Sequence, residues 1–297
     1  MKKQISWDKV KPETQSVWGG ETDVFPHRAT QAPTVNSVAY GYDDMDEWVQ
    51  VTKGQKEGHI YSRNSNPTVD VLEEKIRILE GAQAATSFSS GMAAISNTLF
   101  AHLKSGDRVV ASKDTYGGTS KIFIEFLPKY GIKVKLCDTT DHHQIEKEVT
   151  KGCQLLYLET PTNPTLKIQD IQKLSEAGKS VGALVVVDNT LATPINQLPL
   201  ALGADLVIHS ATKFLCGHSD ALGGLVCGNP EQIKKIFHFR EINGATLGAN
   251  AAYLILRGMK TLASVATFWR RTSRLKVIFF PGTEGTGSPK TCSSLPI

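Results

Sequence analysis

The stretch Asp205-Leu-Val-Ile-His-Ser-Ala-Thr-Lys213-Phe-Leu-Cys-Gly-His-Ser219 is an apolar, strand-like run that ends in small hydroxyl residues and delivers one amine. A lysine turns nucleophilic when burial or neighbouring positive charge disfavours its ammonium, and the end of a buried strand beside a helix terminus supplies such a setting. Lys213 is therefore a candidate nucleophile. Taken alone, an ordinary surface lysine after a strand explains the same residues, and the rest of the chain has to decide.

Working outward, further apolar runs of strand length lie at 84–88, 108–112, 133–137, 154–159, 184–188 and 224–227, beside the run 206–210 already quoted. Helix-like amphipathic stretches at 92–103, 119–129, 142–149, 168–179 and 232–240 separate most of them, whereas residues 1–60 read as irregular. Strand and helix in repeated alternation predict crossover units and an α/β fold with a mostly parallel sheet. Ligands of such sheets bind beyond the carboxyl ends of the strands, so the chemistry is sought there.

Composition narrows the function classes. With 297 residues, 40% of them hydrophobic and 21% charged, the chain can bury a sizeable core in roughly two domains. The lysines of Met1-Lys2-Lys3 have no apolar run behind them, and no stretch approaches a membrane span, which predicts a cytoplasmic protein without a membrane partner. The five cysteines, Cys137, Cys153, Cys216, Cys227 and Cys292, form no CxxC pair and are expected to be reduced. His142-His143 lacks a second ligand pair at metal spacing, so no metal site is expected. The net charge of +4 resides wholly in 264–297, where Arg270, Arg271, Arg274, Lys276 and Lys290 face Glu284 alone. A neutral body with a short basic tail has no extended basic face for nucleic acid.

Four strand ends carry related chemistry. Ser89-Ser90-Gly91-Met92 follows one strand and opens a helix; Gly91 admits close backbone approach and the free N–H groups suit a phosphate, although a simple helix cap fits as well. Leu184-Val-Val-Val-Asp188 is an apolar strand ending in one carboxylate, which either caps the next helix or pairs with a protonated ring nitrogen. Tyr116 can stack on a planar ligand, and the turn Glu159-Thr-Pro-Thr-Asn163-Pro164 can place an amide beside it or merely turn the chain. A phosphate cradle, a ring stacker, a counter-charge for a ring nitrogen and an aldehyde-capturing lysine are together what pyridoxal phosphate needs.

Several motifs carry a family resemblance: Tyr61-Ser-Arg63-Asn-Ser-Asn-Pro-Thr68, Ser90-Gly91-Met92, Glu159-Thr-Pro-Thr-Asn163-Pro, Val187-Asp188-Asn-Thr and Ser210-Ala-Thr-Lys213. With them the chain resembles, densely from Tyr61 to Leu262, the Cys/Met-metabolism family of pyridoxal-phosphate enzymes. The resemblance implies the aspartate-aminotransferase type of the pyridoxal-phosphate-dependent transferase fold, with a mostly parallel seven-stranded sheet flanked by helices. It implies that Lys213 binds the cofactor aldehyde, Asp188 pairs with the pyridine nitrogen and Tyr116 stacks on the ring. Ser90, Gly91, Met92, Ser210 and Thr212 would hold the phosphate, with Asn163 beside the ring. Tyr61 and Arg63 would reach the phosphate of a neighbouring subunit, making the active unit a homo-oligomer, commonly a dimer of dimers. An irregular N-terminal arm, 1–60, with little in its own chain to fold upon suits that role.

The activity implied is γ-replacement or γ-elimination on homoserine-derived or sulfur amino acids, with Lys213 and Tyr116 moving protons. Methionine γ-lyases typically carry a cysteine two residues after the stacking tyrosine, where this chain has Gly118, as the cystathionine enzymes and sulfhydrylases do; the run Ile122-Phe-Ile-Glu-Phe-Leu-Pro128 is similar to some synthases, which ranks cystathionine γ-synthase ahead of γ-lyase, methionine γ-lyase and sulfhydrylase activities. The large cofactor-binding domain is expected at 61–263. Beyond it the family continues into a smaller domain with a carboxylate-gripping arginine, whereas 264–297 is a basic, Gly/Ser/Thr/Pro-rich tail with little packed structure expected. A reading of another class follows: a truncated chain that binds cofactor, or assembles with a full-length partner, without turnover.

Overall fold

The computed structural model describes residues 5–21 and 25–272; Cys292 and the expectations for 273–297 lie outside the described residues. Seven strands, β1 (Ala84–Phe88), β2 (Arg108–Ser112), β3 (Lys133–Cys137), β4 (Leu155–Glu159), β5 (Leu184–Asp188), β6 (Leu206–Ser210) and β7 (Gly224–Gly228), form one sheet. Their order is β1-β7-β6-β5-β4-β2-β3. Strand β7 runs antiparallel to both neighbours and the remaining pairs are parallel. The helices are α1 (Pro12–Trp18), α2 (Met45–Thr52), α3 (Pro67–Leu79), α4 (Gly91–His102), α5 (Gly117–Lys121), α6 (His142–Val149), α7 (Ile171–Ser180), α8 (Thr193–Asn196), α9 (Pro230–Asn243), α10 (Ala249–Met259) and α11 (Leu262–Thr272).

Helices cover both faces of the sheet, which is why the central strands read as continuous apolar runs rather than as alternating ones. On the front face Tyr157, Val186, Ile208 and Val226 pack with Ile95 and Leu99 of α4 and Ile233 and Ile236 of α9. On the back, Val207, Leu225 and Cys227 meet α3 and α10, while Leu156, Leu158, Val185 and Val187 meet α6 and α7. The thiols of Cys137, Cys153, Cys216 and Cys227 are free and buried. Among the described residues no helix is long and apolar enough to cross a membrane.

Local differences from the sequence reading have physical causes. The stretch expected as one helix at 119–129 is α5, then a π-turn over Ile122–Phe126 and a 3-10 turn over Leu127–Tyr130. Pro128 lacks an N–H and its ring would crowd the carbonyl four residues back, so the ladder widens there. Helix α7 starts at Ile171 rather than 168 because Asp170 accepts from the Lys173 N–H as its cap. Helix α3 went unread although its signals are present: Asn66 caps Thr68 and Val69, Pro67 opens the first turn, and Val69, Leu72, Ile76 and Leu79 repeat at helical spacing. The expectation of little packing from 264 onward is corrected up to 272, since α11 continues there with Ala266 buried and its carbonyl accepting from Asn196.

The arm also folds upon its own chain, contrary to expectation. Helix α1 lies against α3, where the fully buried Lys75 donates to the Ser16 and Val17 carbonyls and pairs with the equally buried Glu21. Those carbonyls belong to the end of α1, where a cation complements the helix dipole. Lys260 pairs with the second Glu21 oxygen at 2.7 Å. Burial pushes the Lys75 ammonium down to about 8, against the pull of Glu21. A lysine inside α3 reads from sequence as a surface charge, so the contact was invisible there.

Gly258 lets α10 lie against the turn that carries Lys213, because a Cβ there would sit 1.8 Å from the Cys216 carbonyl oxygen. G258A gains about 1 kcal/mol of helix propensity. The clash with backbone dominates, and a net loss of about 1–3 kcal/mol is expected, read as a lower urea midpoint with unchanged m. G41A, whose Cβ meets nothing within 4 Å, should leave the midpoint unchanged.

Candidate active site

The chemistry gathers at the carboxyl ends of β4, β5 and β6 and the amino end of α4. Glu159 and Asp188 terminate β4 and β5 as register partners, so both side chains leave the sheet on one face. Asp188 is 6% exposed and accepts from the Thr190 N–H at 3.0 Å and the Tyr157 hydroxyl at 3.4 Å, with the Thr190 side chain also bonded to it. Burial pushes its carboxyl upward, against the pull of the Thr190 bonds and of nearby His209. Glu159, 4% exposed, is pushed up to about 8 by burial first and by Asp188 second. Its two oxygens accept from the backbone N–H groups of Tyr116 at 2.8 Å and Asn163 at 3.0 Å. Burial first, and the two carboxyls next, hold the Tyr157 phenol well above its ordinary range.

Glu159 thus fastens two loops that carry site residues. Tyr116 lies just before α5 and is 46% exposed. A Cβ on Gly118 would lie 2.7 Å from Met92 Sδ and 3.0 Å from Tyr116 Cε1, which puts the ring beside the start of α4. There Ser90 caps the helix through the Ala93 N–H. The N–H groups of Gly91 and Met92 take no partner among the described residues, as expected for a first turn. A Cβ on Gly91 would lie 2.6 Å from the Ser210 Cβ, so the strand end and the helix end touch only because this residue is glycine. The Thr212 hydroxyl accepts from Gly223 N–H at 3.1 Å and meets its carbonyl at 3.3 Å.

Lys213 occupies the turn after β6, its N–H donating to Ser210 O at 3.2 Å, and its side chain is exposed. The burial anticipated for this amine is therefore not a property of the single chain. Asn163 is likewise exposed, with its backbone rather than its amide engaged. Tyr61 and Arg63 are not brought to the cluster. They stand exposed at the end of the arm, where Arg63 lies over the Tyr61 ring at 5.4 Å. Among the described residues no His, Cys, Asp and Glu group could hold a metal ion.

The sequence reading missed Glu159, Tyr157 and Thr190 as site residues. A signal for Glu159 existed: two apolar runs, 155–159 and 184–188, each end in an acid. Their adjacency, which makes the acids a pair, comes only from strand order.

Pyridoxal phosphate fits these residues. A buried carboxyl without a cationic partner among the described residues suits a protonated ring nitrogen, and the unengaged N–H groups at the start of α4 beside Ser210 suit a phosphate. The fold and this site are those of the pyridoxal-phosphate-dependent α/β class. The chain belongs to the Cys/Met metabolism PLP-dependent enzyme family, whose model matches residues 13–273, earlier and later than the dense motif region. It is 40% identical over 266 residues to an L-methionine gamma-lyase of Fusobacterium nucleatum subsp. polymorphum, covering 85% of this chain and 67% of that protein. It is 37% identical over 287 residues to a cystathionine gamma-lyase of Bacillus subtilis, covering 93% of this chain and 73% of the relative. Among solved structures, the cystathionine gamma synthase of Xanthomonas oryzae pv. oryzae in complex with aminoacrylate and cysteine superposes with a TM-score of 0.79 at 36% identity. That match covers 86% of this chain but 64% of the synthase, so the chain spans about two thirds of its length.

Both carboxyls are raised in the folded state, so the folded protein holds protons that the unfolded chain has lost. Their contribution to stability is complete below the ordinary glutamate value of 4.5 and is lost as pH rises toward about 8. Without cofactor, the melting temperature of the E159Q/D188N double variant should fall less than that of wild type between pH 5 and 8, and either single variant should lie between. Parallel pH profiles would contradict this.

Proposed function

We propose that the chain catalyses γ-replacement or γ-elimination on homoserine-derived or sulfur amino acids, with cystathionine γ-synthase activity, O-succinyl- or O-acetylhomoserine plus cysteine giving cystathionine, as the leading assignment. The observation that carries this reading is the convergence of Asp188, Tyr116, the Gly91–Ser210 contact and the Lys213 turn on one cluster of strand ends. Gly118 supports the synthase over methionine γ-lyase, since a side chain there would displace Met92 or the Tyr116 ring. The relatives named above include two lyases, so γ-lyase chemistry, which shares every step but the last, is the alternative at the same site.

When bound, pyridoxal phosphate supplies an aldehyde for amine capture and a ring that stores the electrons left when a Cα proton departs. Lys213 Nζ would hold the cofactor at its aldehyde carbon and, when free, would serve as the base for the substrate Cα proton. It then moves a proton from Cβ, which lets the group on Cγ leave. A cysteine thiolate adding at Cγ gives cystathionine, whereas in its absence water adds at Cα, the nitrogen leaves as ammonia and a 2-oxo acid remains. Asp188 holds the ring nitrogen's proton, and Tyr116 covers the ring face and donates a proton to the departing group. Gly91, Met92, Ser210 and Thr212 hold the phosphate, with Ser90 fixing the helix start. Tyr61 and Arg63, exposed at the end of the arm, reach a second copy's phosphate, the planar guanidinium giving a two-pronged grip.

The chain spans 64% of the synthase's length, and a second reading at the same site is binding of cofactor, or assembly with a longer partner, without turnover. Borohydride should fix pyridoxal phosphate to the Lys213 peptide in wild type and not in K213A, read by peptide mass; absence of that adduct would sink the cofactor assignment. O-succinylhomoserine, with and without cysteine, then separates the readings. Cystathionine formed only with cysteine supports the synthase, ammonia release without it the lyase, and a bound cofactor indifferent to both the non-catalytic chain.

A further inference from the structure

The strand ends that carry the site have a second, opposite set of side chains. Successive strand residues point to opposite faces. Next to Glu159 stands Thr160, next to Asp188 stands Asn189, and next to Ser210 stands His209, and these three belong to one buried polar network behind the sheet. His209 Nε2 meets Glu80 Oε1 at 2.6 Å, with both side chains fully buried. Asn189 donates to the same Glu80 oxygen at 3.0 Å and to the Gln197 carbonyl at 3.0 Å. Gln197 donates to Asn189 Oδ1 at 2.9 Å and to the Thr160 carbonyl at 2.9 Å. The network thus ties the ends of β4, β5 and β6 to Glu80 at the end of α3.

Such a network is not accounted for by stability. Replacing both partners of a buried polar contact with packed apolar groups is often neutral or stabilising, and on this same face Val187 and Val207 are packed in that way. It also leaves Glu80 Oε2 and His209 Nδ1 without partners among the described residues. Directional bonds fix distances between strand ends, which apolar packing does less sharply. Thr160, Asn189 and His209 each sit one residue from a front-face group, so a change of spacing behind the sheet is transmitted directly to its front.

We infer that Glu80, His209, Asn189 and Gln197 are positioning residues for the cofactor site, setting the relative placement of Glu159, Asp188 and Ser210 from the opposite face of the sheet. The inference rests on the cofactor reading proposed above.

The test titrates apo protein with pyridoxal phosphate, reading the dissociation constant and the visible circular dichroism of the bound cofactor, with thermal stability measured alongside. E80Q and Q197A should weaken binding about tenfold, as loss of outer-shell partners does at metal sites, and should alter the visible dichroism. E21Q is the matched control, since it breaks the buried Lys75 pair elsewhere on α3 and should lower stability alone. If E80Q does not fold, Q197A, which keeps the Glu80–His209 contact, decides. Wild-type affinity and dichroism in the variants, or an equal loss in E21Q, overturns the inference. If wild type shows no visible band that K213A removes, the cofactor reading itself fails and the inference falls with it.

Discussion

Two carboxyl groups taken out of water at the ends of neighbouring strands constrain this structure more than any other feature. Glu159 and Asp188 are register partners at the edge of a core that excludes solvent; burial makes both harder to ionise, and Asp188 adds to the effect on Glu159. Glu159 resolves its share by accepting two backbone N–H groups, and those bonds place the Tyr116 and Asn163 loops. Asp188 receives one backbone N–H, the Thr190 side chain and a long contact from Tyr157, which leaves it suited to a cationic partner from outside the chain. Structural fastening and ligand recognition are thus divided between two acids one strand apart.

The layered sheet makes that division possible. Apolar helices on both faces keep the strands dry, so polar groups at their ends interact strongly and cannot be left to water. Where elements must touch, residues without side chains permit it: Gly91 against Ser210, Gly224 against the Ser90 carbonyl, and Gly258 against the Cys216 carbonyl. The same alternation that sends Asp188 forward sends Asn189 back, and the back face is bonded as thoroughly as the front. Away from the sheet, Lys75 shows burial overriding ordinary preference, a charged residue held inside α3 because a carboxylate and the end of α1 meet it there.

Much of the fold was legible from residue order. Apolar runs marked all seven strands within a residue or so, and their alternation with helices marked a mostly parallel sheet. Ser90-Gly91-Met92, Asp188 and Lys213 were legible because each has a chemical type unusual for its local pattern. The helices that went unread, α1, α2 and α3 among them, lie in or next to a segment whose apolar residues are sparse, and their faces make sense only against partners distant in the chain. Lys75, Glu80 and His209 carry no local signal, since an acid, a base and an imidazole on a helix or strand read alike whether buried or solvated.

The sequence by itself determined the strand and helix alternation, the glycine that starts α4, the acid that ends β5 and the amine after β6, because these depend on neighbours a few residues away. Only the tertiary structure decided that Glu159 stands beside Asp188, that Glu80 meets His209 across the sheet, and that the arm's first helix lies on α3. Those are meetings of residues tens to more than a hundred positions apart. Strand order and burial, not composition, set their distances and therefore their charges.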